Sequence, residues 1–315
     1  MVADLTIYHI PVLLNEVLET LQVQPGAKYI DCTLGEGGAA EAIVAAGGHL
    51  LGLEADPEML PVAARRLEKT GGTYALAQAN FASLGIVARA FDFYPVHGVL
   101  LDLGLSSRQL QAEERGFTFQ QAQPLDMRYD PRQEITAADL VNDMPEEELA
   151  DLLYEYGEED RWSARAVARS IVRRRPILTT LELVEAVEEA VGQRSARRIH
   201  PATKVFMGLR LVVNAELQAL ESALPQALEL LAPGGRALVI SYQSLEDRVT
   251  KQFFRKESRD CICPPGLPVC TCGHTAKVRL VGRGGVTPSV SEIAQNPASR
   301  SARLRAAEVL SSQSR

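Results

Sequence analysis

The chain of 315 residues has no apolar run approaching the ~18 residues of a membrane-spanning helix, and Met1–Leu14 lacks the positively charged start and long apolar stretch of an export signal. Those two absences predict a cytoplasmic protein with no membrane partner. There is no excess of basic residues either. Lys and Arg number 33 against 40 Asp and Glu, a formal charge of −7, which argues against a uniformly basic nucleic-acid binder and leaves local patches open. Only five cysteines occur, four of them close together near the C-terminus, which is not the disulfide framework of a small secreted domain. Hydrophobic content of 46% and charged content of 23% are ordinary for a globular chain, and the length suffices for one large domain with an insertion or a second domain.

The most informative stretch is Tyr29-Ile-Asp-Cys-Thr-Leu-Gly-Glu-Gly-Gly38. Tyr29–Cys32 reads as a short buried strand, Gly35, Gly37 and Gly38 as a sharp turn open to close approach by a ligand, and the Ala-rich segment after it as a helix whose free N–H groups point back at the turn. The dinucleotide fingerprint G-x-G-x-x-G is missing, which disfavours a dehydrogenase. An acid ahead of G-x-G-G suits a ligand with a positive centre and an amino-acid tail, and S-adenosylmethionine is such a ligand. A purely structural glycine turn is the competing reading.

Strands and helices then alternate. A helix is expected from Pro11 to about Leu21, strands at Leu50–Glu54, Thr73–Gln78 and Gly98–Asp102, a helix from Pro57 to Leu67 and a helical stretch after Asn80-Phe81 to about Ala90. This rhythm predicts an α/β fold with a parallel doubly wound sheet and ligand sites at the carboxyl ends of its strands. Those ends carry Gly35–Gly38, Glu54, Phe81 and Asp102. Glu54 follows Asp31 by 23 positions, near the ~20-residue offset at which an acid reaches ribose hydroxyls in such folds. It competes with a solvated acid at a strand end, and Phe81 with plain core. Asp102 closes an apolar run where packing explains a carboxylate poorly, so it is the candidate catalytic residue.

From about Leu110 to Ala202 no apolar strand is expected. Gln133–Asp160 contains eleven acids and no Lys or Arg, while Arg161–Arg210 has eleven Lys or Arg against four Glu. Arg161, Arg165, Arg169 and Arg173 recur every four residues and line one face of a helix, with Arg174, Arg175, Arg194, Arg197, Arg198 and Lys204 adding to the charge. Two readings stand: a basic helix paired internally with the acidic one, or a surface for nucleic-acid phosphates. The sheet pattern resumes with a long helix over Thr203–Leu231, a stop at Pro233-Gly-Gly, a strand at Arg236–Ser241, and a closing strand pair at Ala276–Gly282 and Ser301–Val309. Cys261-x-Cys263 and Cys270-x-Cys272 offer four thiols, suited to tetrahedral zinc or to free, redox-sensitive chemistry; that choice is left open. Cys32 is expected in the core.

Asp31-x-Thr-x-Gly-x-Gly-Gly38, Leu101-Asp-Leu-Gly-x-Ser-Ser-x-Gln109, Glu114-Arg-Gly-Phe117, Pro124-Leu-Asp-Met-Arg128, Tyr156-Gly-Glu-Glu159, His200-Pro-Ala-Thr203, Val213-Asn-x-Glu-Leu217, Leu231-Ala-Pro-Gly-Gly-Arg236, Ser244-Leu-Glu-Asp-Arg248 and Asn296-Pro-x-Ser-Arg-Ser301 occur in order over nearly the whole chain. Together they resemble the bacterial 16S rRNA cytosine-N4 methyltransferases. The resemblance implies a class I, Rossmann-like methyltransferase domain at residues 1–109 and 203–315, with an all-helical insertion at 110–202 for RNA recognition. It implies S-adenosylmethionine as cofactor, held by Gly37, Gly38, Ala39, Glu54, Phe81, Asp102 and Gln109. Its substrate would be a cytidine in the P-site region of 16S rRNA, within the 30S subunit; a homodimer stays open. The family usually has His where this chain has Ala39, and Phe-His where it has Tyr242-Gln243, which removes an imidazole from the cofactor site and warns against a histidine base. The alternatives are a methyltransferase for another RNA or a small molecule, and a non-catalytic ribosome-assembly factor.

Overall fold

The computed structural model describes residues 10–112, 114–192, 200–264, 267 and 269–311, so Arg194, Arg197 and Arg198 lie outside the described residues. The chain divides into two compact units, one of Met1–Gly104 with Leu217–Arg315 and one of Leu105–Glu216. The first unit opens with α1 (Leu14–Leu21), β1 (Lys28–Asp31), α2 (Gly38–Ala45), β2 (His49–Glu54), α3 (Leu60–Glu68), β3 (Tyr74–Gln78), a 3-10 turn at Phe81–Ser83, α4 (Leu84–Ala90) and β4 (Val96–Asp102). The second unit holds α5 (Ser107–Gln111), α6 (Ala137–Asp143), α7 (Glu146–Glu155), α8 (Arg161–Arg174), α9 (Thr180–Val191) and α10 (Pro201–Val213). The chain returns through α11 (Glu216–Leu230) to β5 (Leu231–Ser241), α12 (Ser244–Glu257), β6 (Val278–Val286), α13 (Val290–Gln295), a 3-10 turn at Pro297–Ser301 and β7 (Arg303–Val309).

The seven strands form one sheet in the order β3-β2-β1-β4-β5-β7-β6, parallel from β3 to β5, with β7 antiparallel to both its neighbours. Alternate side chains of each central strand go to opposite faces, which is why the strands read as continuous apolar runs. Tyr29, Leu50, Leu100 and Leu238 pack with Val17 and Leu21 of α1, Ile43 and Val44 of α2, and Leu67 of α3. Ile30, Leu51, Leu101 and Val239 pack on the other face with Leu84 and Ala88 of α4, Leu220, Ala223 and Leu224 of α11, and Phe254 of α12. Cys32 belongs to this second core, as expected. On β4, Gly98 leaves room for its neighbours: a Cβ there would lie 2.6 Å from Leu21 and 2.8 Å from the Tyr29 ring.

Several boundaries differ from the sequence reading. The helix after β2 begins at Leu60 with Pro61 in its first turn, because Asp56 first ties a turn by accepting from the backbone N–H groups of Glu58 and Met59. The long helix expected over Thr203–Leu231 is two helices. Asn214 breaks it: its buried amide donates to the carbonyls of Met127 and Arg210 and accepts from Tyr129 N–H at 2.7 Å, and Ala215 follows in a left-handed conformation with φ of +47°. Asn214 thereby fastens the end of α10 to the loop ahead of α6 at the cost of helical continuity. Pro233–Gly235 lies inside β5 as an irregularity, where the pairing with β4 jumps from Val96–Leu231 to Gly98–Arg236.

The second unit begins at Leu105 and extends through α10, beyond the expected 110–202, since Ala202, Val205, Phe206, Leu209 and Val213 of α10 join its core. That core is mainly helical, with Leu149 and Leu153 of α7, Val167 and Ile171 of α8, and Leu183 and Val187 of α9, joined by Phe117, Leu125, Met127 and Ile177 from the loops. Helix starts are set by capping side chains: Thr136 and Thr179 close capping boxes with Asp139 and Glu182, and Asp160 accepts from the N–H groups of Trp162 and Ser163. No helix among the described residues is long and apolar enough to cross a membrane.

Candidate active site

The motif Asp31-x-Thr-x-Gly builds the site one hydrogen bond at a time. Asp31, at the carboxyl end of β1, accepts from Thr33 N–H at 3.1 Å, turning the chain out of the strand. The Thr33 hydroxyl oxygen accepts from Asp102 N–H at 2.6 Å, tying the end of β1 to the end of β4. Gly35 N–H donates to Glu54 at 2.7 Å, and the other oxygen of Glu54 accepts from Asp56 N–H at 2.9 Å, so one carboxylate joins the glycine turn to the end of β2. Gly35 and Gly37 have φ of +50° and +78°, the left-handed region that costs glycine nothing. Gly37 caps α2, and a Cβ on Gly38 would run into the Pro11 ring.

Three carboxyls therefore sit at adjacent strand ends, since β1 lies between β2 and β4. Burial raises all three above the ordinary carboxylate range. Asp31 reaches about 6, held back by its hydrogen bonds to Thr33. Glu54 reaches about 7, lowered in part by the Asp56 and Gly35 N–H groups and raised again by the charges of Asp56 and Asp31. Asp102 reaches about 7 through burial, with a hydrogen bond from Tyr242 lowering it and Asp31 and Glu246 raising it. The neighbours that bear on Glu54 and Asp102 by charge are themselves acids, so this is a site short of positive charge.

Tyr242 is the residue that sequence reasoning missed. Its hydroxyl donates to Asp102 Oδ1 at 2.9 Å, its ring lies over Gly104, and burial followed by the Asp102 charge pushes the phenol well above its usual range, so it acts as a fixed donor. The available signal was its position one residue past β5, where a phenol meets the other strand ends. Buried Glu246 explains the Ser-Leu-Glu-Asp-Arg motif: it accepts from the N–H groups of Tyr242 and Gln243 at 2.9 and 3.1 Å and so aims the Tyr242 backbone. Asp247 beside it takes a two-pronged ion pair from Arg305 of β7, at 2.6 and 2.9 Å.

The remaining expected residues fall as follows. Gly37, Gly38 and Ala39 form the turn and first helical residues of α2, with Ala39 half-buried against the core. Phe81, half-buried after β3, packs on the core beneath the sheet, while Asn80 ahead of it accepts from Ala82 N–H at 2.8 Å. Gln109 lies in the second unit, where it closes a capping box at the start of α5 with Ser106. Arg161, Arg165, Arg169 and Arg173 are exposed on one side of α8, opposite buried Ala164, Val167, Ala168 and Ile171. Two of them are paired within the unit, Arg169 with Glu146 of α7 at 3.3 Å and Arg173 with Glu189 of α9 at 3.0 Å, and Arg161 stacks on Tyr154. The Sγ atoms of Cys261, Cys263, Cys270 and Cys272 all lie within 4.8 Å of one another.

The antiparallel β7 set between β5 and β6 separates this sheet from all-parallel dinucleotide-binding folds and places the protein among the class I methyltransferases. Within that class the chain belongs to the MraW methylase family, whose model matches residues 6–310. Curated relatives named ribosomal RNA small subunit methyltransferase H include that of Dehalococcoides mccartyi, 52% identical over 303 residues, covering 95% of this chain and 86% of the relative. Those of Thermomicrobium roseum and Syntrophotalea carbinolica are each 50% identical, cover 95% of this chain, and are themselves covered to 93% and 96%.

Proposed function

We propose that the protein transfers a methyl group from S-adenosylmethionine to the exocyclic N4 of a cytidine in the P-site region of 16S rRNA, acting in the cytoplasm on the 30S subunit. The observation that carries the reading is Asp102: a carboxyl of about neutral pKa, fixed by Tyr242 and placed beside the glycine turn. The acid-only charge environment of the strand ends fits a cationic ligand, and the left-handed turn at Gly35 and Gly37 brings backbone up beside it. Glu54 has further lone pairs for ribose hydroxyls, and the free N–H groups at the start of α2 suit a carboxylate. When bound, the cofactor supplies an electrophilic methyl on a sulfonium.

Cytosine N4 is a weak nucleophile because its lone pair is delocalised into the ring. A carboxylate that accepts its N–H returns electron density to nitrogen as the new bond forms, and gains strength as positive charge develops there. Asp102 suits this task, with a pKa matched to taking up the proton that nitrogen must release. Tyr242 keeps the carboxylate oriented while leaving its second oxygen for the base. The names of the relatives support a ribosomal RNA substrate, and the exposed Arg face of α8 supports phosphate contact. The base must leave its stack or come from an unpaired segment to be reached.

The deciding experiment incubates the protein with labelled S-adenosylmethionine and unmodified 30S subunits or free 16S rRNA, then maps the label. Label on one cytidine N4 is expected. Label on another RNA or at another atom would overturn the substrate assignment, and cofactor binding without transfer to any RNA would favour an assembly factor.

A further inference from the structure

Outside the strand-end site, the loop between α12 and β6 brings together four thiols that methyl transfer does not use. We propose that Cys261, Cys263, Cys270 and Cys272 form a structural zinc site. Four thiolates at about 2.3 Å from a central zinc stand at the corners of a tetrahedron with edges of about 3.8 Å. The Sγ separations are 3.9 Å for Cys263–Cys270, 3.5 Å for Cys270–Cys272 and 3.9 Å for Cys261–Cys272, with every pair within 4.8 Å. A disulfide needs about 2.05 Å, and all four cysteines are free. The arrangement also closes on itself, because each Cys-x-Cys arm supplies two corners, and a closed set of four protein ligands is the mark of a structural rather than a catalytic zinc site.

The backbone around the cluster serves the sulfurs. Cys263 N–H points at Cys261 Sγ at 3.4 Å and Ile262 N–H at Cys272 Sγ at 3.5 Å, donors that stabilise thiolate charge around a cation. Among its described residues the loop has no apolar core to hold this shape, for Ile262, Leu267 and Val269 are 40%, 52% and 70% exposed. Its described anchors are polar: Ala276 N–H to Asp260 at 3.3 Å, Lys277 N–H to the Glu257 carbonyl at 2.8 Å, and a His274 ring contact with the Lys256 carbonyl at 3.0 Å. A segment that buries so little is one where metal binding supplies the free energy of ordering. The site is separate from the acids of the strand ends, so zinc has a scaffolding role here, fixing the connection into β6 at the sheet edge.

The test uses the full chain purified under reductant, without chelators, from cells supplied with zinc. Elemental analysis should find about one zinc per chain, and exchange for Co(II) should give the ligand-field and thiolate charge-transfer absorption of a tetrahedral sulfur site. The double variant Cys270→Ser/Cys272→Ser should lose at least about tenfold of the bound metal with an unchanged circular dichroism spectrum, since the loop is exposed. If that variant fails to fold, the Co(II) spectrum of the unaltered chain decides. Four titratable thiols without zinc, a mass deficit of two hydrogen atoms per disulfide, or full zinc retention in the double variant would each overturn the proposal.

Discussion

Replacing Tyr242 with Phe isolates the contact that sets Asp102. The ring is kept, with its packing over Gly104, and only the hydroxyl that donates to Asp102 at 2.9 Å is removed. A hydrogen bond to a charged acceptor contributes roughly 1.5–3 kcal/mol, which at about 1.4 kcal/mol per pKa unit is about one to two units. The sign follows from which form the bond favours. Tyr242 stabilises the carboxylate and holds Asp102 down against burial, so its loss moves Asp102 further above 7. Single-turnover methyl transfer to 30S subunits at saturating S-adenosylmethionine, followed from about pH 5.5 to 9.5, should show its acid limb displaced upward by about one to two units, a loss of roughly 5- to 50-fold at pH 7 that recovers at high pH. An acid limb at the original position, or a loss equal at every pH, would refute the assignment of Asp102 as the titrating acceptor.

Asp102→Asn should lower the saturated single-turnover rate by about 2–4 kcal/mol, as for one transition-state hydrogen-bond partner; a full rate would leave Asp102 a cofactor ligand only. Glu54→Ala should weaken S-adenosylmethionine binding by roughly 1–3 kcal/mol in calorimetry. Because Asp31, Glu54 and Asp102 bind protons more tightly folded than unfolded, their contribution to stability falls as pH rises from about 4 through 6–7. The preference for S-adenosylmethionine over its uncharged demethylated product should accordingly grow across pH 6–7, and a flat ratio would count against the acid cluster as the sulfonium partner. Reversing Arg165 and Arg169 to Glu should weaken RNA binding and flatten its salt dependence by about 0.9 in slope for each phosphate no longer neutralised, with stability changed by less than about 1 kcal/mol. Unchanged RNA affinity with a collapsed melting transition would give α8 a purely internal role. Asn214→Ala, which strips the partners of Tyr129 N–H and the Met127 carbonyl, should destabilise the protein by roughly 2–4 kcal/mol in thermal unfolding, and a loss below about 1 kcal/mol would contradict the account of the helix break.

What the sequence by itself determined is whatever depends on short-range pattern. The alternation of apolar strands with helices, the left-handed turn at Gly35 and Gly37, Glu54 and Asp102 at strand ends, and the four-residue spacing of the α8 arginines are all set by periodicity or backbone sterics within a few residues, and each is legible from the chain alone. Tertiary structure alone decided which distant groups meet. Tyr242 and Asp102 are 140 positions apart, and their bond exists because β4 and β5 pair in one register. The break at Asn214 could not be seen in an otherwise good helical pattern, because its cause is the carbonyl of Met127 and the N–H of Tyr129, far off in sequence. The choice of partners for Arg169 and Arg173 likewise waited on the packing of α7 and α9 against α8. Local propensity says where a chain turns; which polar groups satisfy one another once water is excluded is a property of the packed whole.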